Sequence, residues 1–443
     1  MALEKTINFL SDTLSSLHME SCELVYEEER RGLTRFARDQ IHQSAETEVR
    51  GLTVRCIEDG QVGLVRTTCF DRETLMRAAK QAVAMARQLS PATVPKTLPA
   101  GHCSNFQGAH DEQTARVQPF ERAQLVRNML DWKGKTRSQL SGSVMTSRQT
   151  MCVVSTRGMR VFEERTRVDV NLVAEGPNGT GRSYWAGWRM SDVPLRRLLD
   201  EALAEASTKS RRGKSVDGRC RVVLDYLAAG QLLGFLGYLG FGAKSFIEKC
   251  SFLVEELGKP VAASMLTVLE DPLAMVPVGH DFEGMPRKRV TLMHNGVATG
   301  FVTDSFTAML LGRENTGHAP QPDSTEGPLP THLVVGEGTM SLEELCAAVG
   351  EGIYVRDLHY VNVVEPISTT ITGTTRHGTW LIRGGELVEP LPELRFQVRI
   401  LDVLKGLLGI GKKGRPADGA CGLVHTPPLA SECFEIVGAA GEN

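Results

Sequence analysis

One stretch of the sequence constrains the fold more than any other, because residues 222–243 are almost entirely apolar and contain five glycines. Only Asp225 and Gln231 interrupt the apolar run. A membrane-spanning helix needs roughly 20 predominantly apolar residues, so the interrupted run favours a buried core or interface helix over a span. Glycines 234, 237 and 240 recur every third residue, and each costs about 1 kcal/mol relative to alanine in a helix. Close packing against this stripe must therefore offset the cost.

The rest of the chain mixes strand and helix patterns without regular alternation, which favours an α+β fold over a doubly wound sheet. Asp59-Gly60 and Asn295-Gly296 are hairpin signals between apolar segments. The pattern predicts strands at 23–28 and 33–38 around Gly32, and a helix capped by Asp71. The polar, basic segment 207–218 is interpreted as a linker. We therefore predict an N-terminal domain at 1–210 and a β-rich C-terminal domain at 219–443.

The composition and net charge do not indicate any particular class of binding partner. The 443 residues carry a formal net charge of −3 and are 41% hydrophobic, so no global field favours nucleic acid or an anionic membrane. The ten cysteines are never closer than twelve residues, which excludes a C-x-x-C pattern. The first residues lack the features of a secretory signal, and reduced thiols in the cytoplasm are therefore expected.

Two local motifs are weak. Arg211, Arg212 and Lys214 form a small basic patch, which we interpret as a solvated linker, so no direct nucleic-acid binding is expected. Gly409-x-Gly411-x-x-Gly414 matches a dinucleotide fingerprint. It follows an amphipathic helix and runs into a proline, which contradicts the context that the fingerprint requires.

Three segments carry a resemblance to a known family. Residues 33–63 (LTRFARDQIHQSAETEVRGLTVRCIEDGQVG) form a strand pair followed by a glycine turn. Residues 279–319 begin GHDFEGMPRKR and continue through NGV to TGHA, and residues 336–358 read GEGTMSLEELCAAVGEGIYVRDL. In order and spacing these segments are similar to blocks of the TldD/PmbA (TldE) family, which includes proteins called modulators of DNA gyrase.

The resemblance implies a two-domain protein with a mixed α/β N-terminal domain and a largely antiparallel C-terminal domain with packed helices. It also implies pairing through the C-terminal half. In the family's heterodimeric zinc protease, TldD holds the metal through an HExxxH helix and a C-terminal cysteine, and TldE lacks the histidines. The complex acts on extended, poorly structured peptides inside a closed cavity.

This sequence departs from the metal-bearing pattern at the decisive place. In the best alignment Gly234, Phe235 and Leu239 stand where His, Glu and His are expected. None of these side chains offers a zinc ligand or a general base for water activation. The resemblance therefore points to a TldE-like chain without catalytic residues, cofactor or metal of its own, and the zinc is expected in a TldD-like partner.

Three residues remain as weak metal candidates. Cys421, in the segment ACGLVHTPPL, resembles the family's C-terminal Cys-Gly, but we interpret it as a small buried residue. His280 and Glu283 offer donors close together, although Glu283-Gly284 is better explained as a turn. Two alternatives stay open: a homodimeric peptide-binding or regulatory protein, and a hydrolase that uses these three residues as atypical ligands.

Overall fold

The N-terminal half is built on long antiparallel strands. The computed structural model describes residues 2–16, 19–90, 96–177, 179–207 and 216–439. The strands of this half are β1 (Cys22–Ala37), β2 (Gln40–Glu58), β3 (Gln61–Thr67), β4 (Cys103–Phe106), β5 (Gln139–Ser155), β6 (Arg160–Glu175) and β7 (Thr180–Gly187). Among the described residues they form one sheet in the order β3-β2-β1-β5-β6-β4, with β7 also paired to β6. The helices are α1 (Ala2–Ser16), α2 (Arg72–Arg87), α3 (Glu112–Ala115), α4 (Pro119–Lys133) and α5 (Leu195–Ala206).

The predicted break at Gly32 was wrong, because β1 runs through it in register with both β2 and β5. This glycine leaves room for a side chain rather than bending the strand. The guanidinium of Arg122 occupies the space that a Cβ at Gly32 would take. The Asp59-Gly60 hairpin is confirmed, with φ of 47° and 74° at the two residues, as a type I′ turn requires. Asp71 caps α2 through the backbone N–H of Thr74, also as predicted.

The two faces of this sheet have different neighbours. One face packs on α1 and α2 near its β1–β2 end, through a core that includes Leu24, Leu52 and Leu75. On the other face Val25 and Val153 belong to a small cluster that includes Phe282 of the C-terminal half. The second face therefore meets the C-terminal half.

The C-terminal half contains two mainly antiparallel sheets. Its strands are β8 (Gly218–Leu224), β9 (Val268–Glu270), β10 (Val290–His294), β11 (Val297–Ala298), β12 (His332–Val335), β13 (Gly352–Glu365), β14 (Thr370–Arg383), β15 (Glu386–Pro390), β16 (Leu394–Arg399), β17 (Leu407–Ile410), β18 (Arg415–Asp418), β19 (Leu423–Thr426) and β20 (Leu429–Ala439). Within the described ranges, one sheet has the order β11-β10-β9-β12-β19-β18 and the other β13-β8-β20-β16-β14-β15, with β17 on β20. The helices are α6 (Tyr226–Gly240), α7 (Ala243–Ile247), α8 (Leu253–Glu256), α9 (Ser305–Leu311), α10 (Leu342–Val349) and α11 (Ile400–Lys405).

Helix α6 is the predicted glycine-rich helix, and it is buried between the two sheets. It contacts β13 and β8 of one sheet and β12, β18 and β19 of the other. Asp225 caps it, and twelve of its fifteen residues are buried. The prediction of a core helix is confirmed. Across the residues that the structure describes, no helix is both long and apolar enough to cross a membrane.

The α+β class and the dominance of antiparallel pairing are confirmed, although β12–β19 and β8–β13 pair in parallel. The division at 1–210 and 219–443 stays a prediction. Most of the predicted linker 207–218, including Arg211, Arg212 and Lys214, lies outside the described residues. Ion pairs join the two halves, among them Arg182–Asp357 at 2.7 Å and Arg415–Glu201 at 2.7 Å.

Candidate functional site

The middle of α6 carries no metal donors at the three aligned positions. Gly234 faces the turn between β18 and β19. A Cβ at this position would lie 2.6 Å from the backbone nitrogen of Ala420 and 2.7 Å from the Cα of Gly419. Leu239 is buried, and Phe235 packs against the core of the C-terminal half. At Gly234 the backbone of the neighbouring turn therefore fills the space that a longer side chain would need.

Cys421 lies beside this part of α6. Its Sγ donates a hydrogen bond to the carbonyl oxygen of Pro330 at 3.1 Å and lies 3.8 Å from the carbonyl oxygen of Gly234. Burial, with a smaller contribution from the negative charge of Glu270, raises the pKa of the Cys421 thiol to about 12. Since thiolate, not thiol, is the metal ligand, a metal at this place would have to displace the thiol proton.

The donor set at this place does not fit a zinc ion. Protein zinc sites use three or four nitrogen, sulfur or oxygen ligands, and here only one protonated thiol is present. Elsewhere in the described ranges no group of three or more His, Cys, Asp or Glu side chains could hold a metal ion. That this chain carries no zinc stays a prediction until the metal content is measured.

A cavity of about 570 Å³ lies between loops of the C-terminal half and the face of the N-terminal sheet that meets that half. Both His280 and Cys421 line it. Residues of β1, β5 and β6 contribute from the sheet, including Glu27, Gln149, Glu163 and Arg165. The cavity is thus a chamber beside the motif position of α6, built from both halves of the chain and lined in part by charged side chains.

Glu163 fixes His280 at one wall of the cavity. Its carboxylate accepts the backbone N–H groups of Gly279 and His280, at 3.2 and 2.8 Å, and contacts Nδ1 of His280 at 3.1 Å. Glu163 is 2% exposed. One carboxylate on β6 therefore holds both the backbone and the ring of His280, which ties the imidazole to protein groups.

Glu283 lies in a turn, as the sequence predicted, and the side chain of Asp281 organises this turn. Asp281 accepts hydrogen bonds from the backbone N–H groups of Glu283, Met285 and Ala319, at 2.8–2.9 Å. Burial, followed by the charge of Glu283, raises the pKa of Asp281 to about 8. Gly284 has φ of +75° in the turn.

The side chain of Glu283 turns toward Arg55 and α9, and not toward His280. One oxygen lies 3.4 Å from Nη1 of Arg55, and the other accepts the backbone N–H of Ser305 at 3.1 Å. Cys421 and His280 line one cavity, and Glu283 bonds to other groups. The three candidate ligands are each engaged by different partners.

The sequence did not indicate a buried cluster around Glu270 at the end of β9. Its carboxylate lies 3.2 Å from Nη2 of Arg287 and 3.3 Å from Nε2 of His318, and it accepts the backbone N–H of His332 at 2.8 Å. Burial acts to raise the pKa of Glu270, but the hydrogen bond from His318 and the charge of Arg287 outweigh it and lower the pKa to about 2. Burial, with Arg287, lowers the pKa of His332 to about 3.

A second buried group, also missed, joins the two halves. Arg55 of β2 lies 2.9 Å from Glu23 of β1 and 3.4 Å from Glu283 of the turn. Glu23 is fully buried, and this burial raises its pKa to about 7 although Arg55 opposes the shift. The available signal was a charged residue at 23 on the same strand face as Val25, where an apolar residue is the norm.

Two models of known protein families match parts of this chain. Residues 217–438 match the family model described as PmbA/TldA metallopeptidase C-terminal domain, and residues 22–86 match PmbA/TldA metallopeptidase domain 1. The fold therefore belongs to a metallopeptidase-related class. The chain belongs to the PmbA/TldD family, as its sequence motifs predicted.

The relatives agree in length and in fold. The chain is 24% identical over 398 residues to Metalloprotease PmbA of Escherichia coli O157:H7, covering 86% of this chain and 84% of that protein. It is 21% identical over 365 residues to a Metalloprotease TldD homolog of Haemophilus influenzae, covering 77% and 75% of the two chains. The crystal structure of TldE from Thermococcus kodakarensis superposes with a TM-score of 0.86 at 18% identity, over 99% of this chain and 100% of that one.

The crystal structure of a putative modulator of a DNA gyrase from Thermotoga maritima superposes with a TM-score of 0.82 at 17% identity, covering 97% of this chain and 99% of that one. At this identity the likeness shows the fold alone. Cytoplasmic location, dimer formation and peptide binding stay predictions.

Proposed function

We propose that this chain is a TldE-like subunit without a metal site, which pairs with a TldD-like, HExxxH-bearing subunit in a zinc protease that acts on extended or unfolded peptides. One observation carries the proposal: at the motif position α6 presents Gly234, Phe235 and Leu239, and the backbone of 419–420 occupies the space beside Gly234. The chain keeps the family's fold and gives up the residues that bind zinc. In the proposed complex this chain would form part of the wall of the chamber that holds the peptide.

The structure offers an edge where an extended peptide can add as a strand, which is the binding mode we propose. Strand β3 pairs only with 52–58 of β2, so within the described residues 40–51 of β2 have a neighbour on one side alone. Val49 is 57% exposed at this edge, and both Val49 and Gly51 line the cavity. A peptide that pairs with this edge would be led into the chamber, with main-chain hydrogen bonds supplying affinity for any sequence.

Purification of the tagged full chain from its native cell tests the pairing. We expect an HExxxH-bearing relative to co-purify, and the zinc of the complex to belong to that subunit. The complex should cleave an unstructured peptide, and this chain alone should not. Recovery of homodimers alone would support the regulatory alternative instead.

Metal analysis of the chain alone tests the other half of the proposal. We expect far less than one equivalent of zinc after purification in zinc-containing buffer, with the assembled complex as the positive control. Stoichiometric zinc in the lone chain, lost on mutation of Cys421 or His280, would favour the hydrolase alternative.

A further inference from the structure

The cavity has an acidic side and a basic side. Glu27, Glu28 and Glu29 of β1 line one side, and Arg165 of β6 lines the other with Arg287 of the C-terminal half. Strand β5 lies between β1 and β6, so the two rows are separated by about two strand spacings, roughly 10 Å. The basic side is therefore a distinct part of the chamber.

The negative groups at the basic side are already occupied. Glu163 receives two backbone N–H groups and a ring nitrogen of His280, and its contact with Arg165 is long, at 3.4 Å. Glu270 receives Arg287, His318 and the N–H of His332. Each carboxylate therefore divides its accepting capacity among several donors, of which only one is an arginine.

The two arginines keep hydrogen-bonding capacity. Arg287 has a side chain that is 9% exposed, and its buried Nε has no hydrogen-bond partner among the described residues. Buried donors without a partner are rare in proteins. Arg165 donates through Nε to Gln149 at 2.7 Å and has 26% of its side chain exposed. By contrast, the neighbouring Arg167 is fully paired, with two bonds of 2.7 Å to Asp169.

The electrostatics agree with this geometry. Burial lowers the pKa of Arg165, and the nearby charges of Arg287 and Arg167 lower it further against the opposing effect of Glu163. Burial and then Arg287 lower the pKa of His318 as well, so that neutral imidazole is favoured there. Burial and like charge therefore act on the arginines of this side, while Glu163 and Glu270 offset part of the positive charge.

We propose that Arg165 and Arg287 bind a carboxylate of the peptide that enters the chamber, either its C-terminal carboxylate or an acidic side chain. Guanidinium groups match carboxylates in shape and charge. The inference rests on the proposed function, because it assumes that a peptide occupies the cavity. It adds a preference for one chemical group at one side of that cavity.

Fluorescence anisotropy with the full chain tests the inference. The probes are three forms of one short Gly/Ala/Ser peptide with a neutral fluorophore at its N-terminus. One has a free C-terminal carboxylate, one a C-terminal amide, and one the amide with a single internal glutamate. We expect a carboxylate-bearing form to bind about tenfold more tightly than the plain amide. The form that gains affinity identifies the source of the carboxylate.

Arg165→Gln is the main variant, because Arg165 is partly exposed and Glu163 keeps its hydrogen bonds from Gly279 and His280 when the arginine is lost. It should remove the tenfold preference. Arg287→Lys, which keeps a charge beside Glu270, should reduce it. The matched control is Arg66→Gln, an arginine at the acidic side of the same cavity, which should leave the preference unchanged.

Equal affinity for the acid and amide forms would overturn the inference, as would a loss in Arg66→Gln equal to that in Arg165→Gln. If all three peptides bind equally, peptide binding itself survives and only carboxylate recognition fails. If none binds, the inference fails, and the pairing with a zinc-bearing subunit is then judged by co-purification alone.

Discussion

The α6 face beside Cys421 and the cluster around Glu270 differ in what their side chains can do. The first has the place of a metal centre in the family alignment, and it offers one protonated thiol. The second offers a carboxylate and two imidazoles, His318 and His332, within a few ångströms of one another. Yet the donors of the second region bond mainly to each other and to the backbone. His332, for example, contacts the carbonyl of Val276 at 2.9 Å.

This difference shows that residues of the types that bind metals do not by themselves form a metal site when they lie close together. In the Glu270 cluster each polar group satisfies another, which is how buried charges are accommodated. In the α6 region the donors are simply missing, and backbone fills the gap. We therefore expect mutations in the cluster to affect stability, and mutations at α6 to leave metal binding absent.

The largest effect is expected for Glu270→Ala. Its loss leaves the guanidinium of Arg287 buried without its partner, and breaking a buried pair costs about 3–5 kcal/mol. Thermal or urea unfolding of the full chain measures it. Glu314→Ala is the control, because this residue pairs with Lys288 at the surface with 75% of its side chain exposed, and it should change stability by less than about 1 kcal/mol. Equal effects of the two substitutions would show that the cluster is not a stabilising unit.

Glu23→Gln tests how a second buried carboxyl group makes the stability of the chain depend on pH. The pKa of Glu23 rises from the ordinary 4.5 to about 7 on folding, so the folded chain holds this proton more tightly. The resulting stability is fully present below pH 4.5 and is lost as pH rises through 7. The shift corresponds to roughly 3 kcal/mol.

The measurement is unfolding free energy at pH 5 and pH 8. Because Glu23 contributes a fall in stability over this range, the stability at pH 8 relative to pH 5 should be higher in Glu23→Gln than in the unsubstituted chain. Other groups share the remaining slope: the pKa of Asp281, raised to about 8, adds to the fall, and the pKa values of His332 and His377, lowered to about 3, oppose it. Glu343→Gln is the control, because hydrogen bonds from its own N–H and from Ser341 lower the pKa of Glu343, which places its effect below this range. An unchanged slope in Glu23→Gln would contradict the prediction.

Gly234→Ala tests whether the α6 position is closed. The new Cβ would press on the backbone of Gly419 and Ala420, and overpacking costs about 1–3 kcal/mol. The helix-propensity gain of about 1 kcal/mol offsets part of this, so a net loss of about 1 kcal/mol is expected. Gly336→Ala, whose Cβ would come no closer than 3.7 Å to a neighbour, should stay within about 0.5 kcal/mol.

A triple variant tests whether this position of α6 can bind zinc when the ligands are supplied. Gly234→His, Phe235→Glu and Leu239→His together restore the motif, and we expect no stoichiometric zinc by elemental analysis of the folded protein. Zinc uptake by the triple variant would show that the turn at 419–420 yields to a histidine.

The sequence predicted those features that local chemistry decides. The hairpin at Asp59-Gly60 and the cap of α2 by Asp71 depend on neighbours within a few residues, and both are confirmed. The predicted strand break at Gly32 was wrong because this glycine leaves space for the side chain of Arg122, which is ninety residues away in the chain. The strand–helix pattern contains no signal for such a contact.

The candidate site was predictable only in part, for the same reason. Alignment with the family named Gly234, Phe235 and Leu239, and the structure adds why no donor fits there. The Glu270 cluster draws on β9, a loop at Arg287 and the start of β12 at His332. Each of these is unremarkable within its own segment. Only the sheet, by placing β9 between β10 and β12, brings them together.

The smallest effect is expected at Cys421. Because its pKa is raised to about 12 from the usual 9.0, the thiolate fraction near pH 8 should be about a thousandfold lower than for an ordinary cysteine. Alkylation of the folded chain with iodoacetamide, followed by mass spectrometry, should modify the exposed Cys69 and Cys250 well before Cys421. Cys421→Ala removes one weak hydrogen bond to Pro330 and should cost about 1 kcal/mol or less. Labelling of Cys421 as fast as Cys69 would mean that the thiolate is accessible, and the contrast between a donor-poor α6 face and the paired Glu270 cluster would then lose its chemical basis.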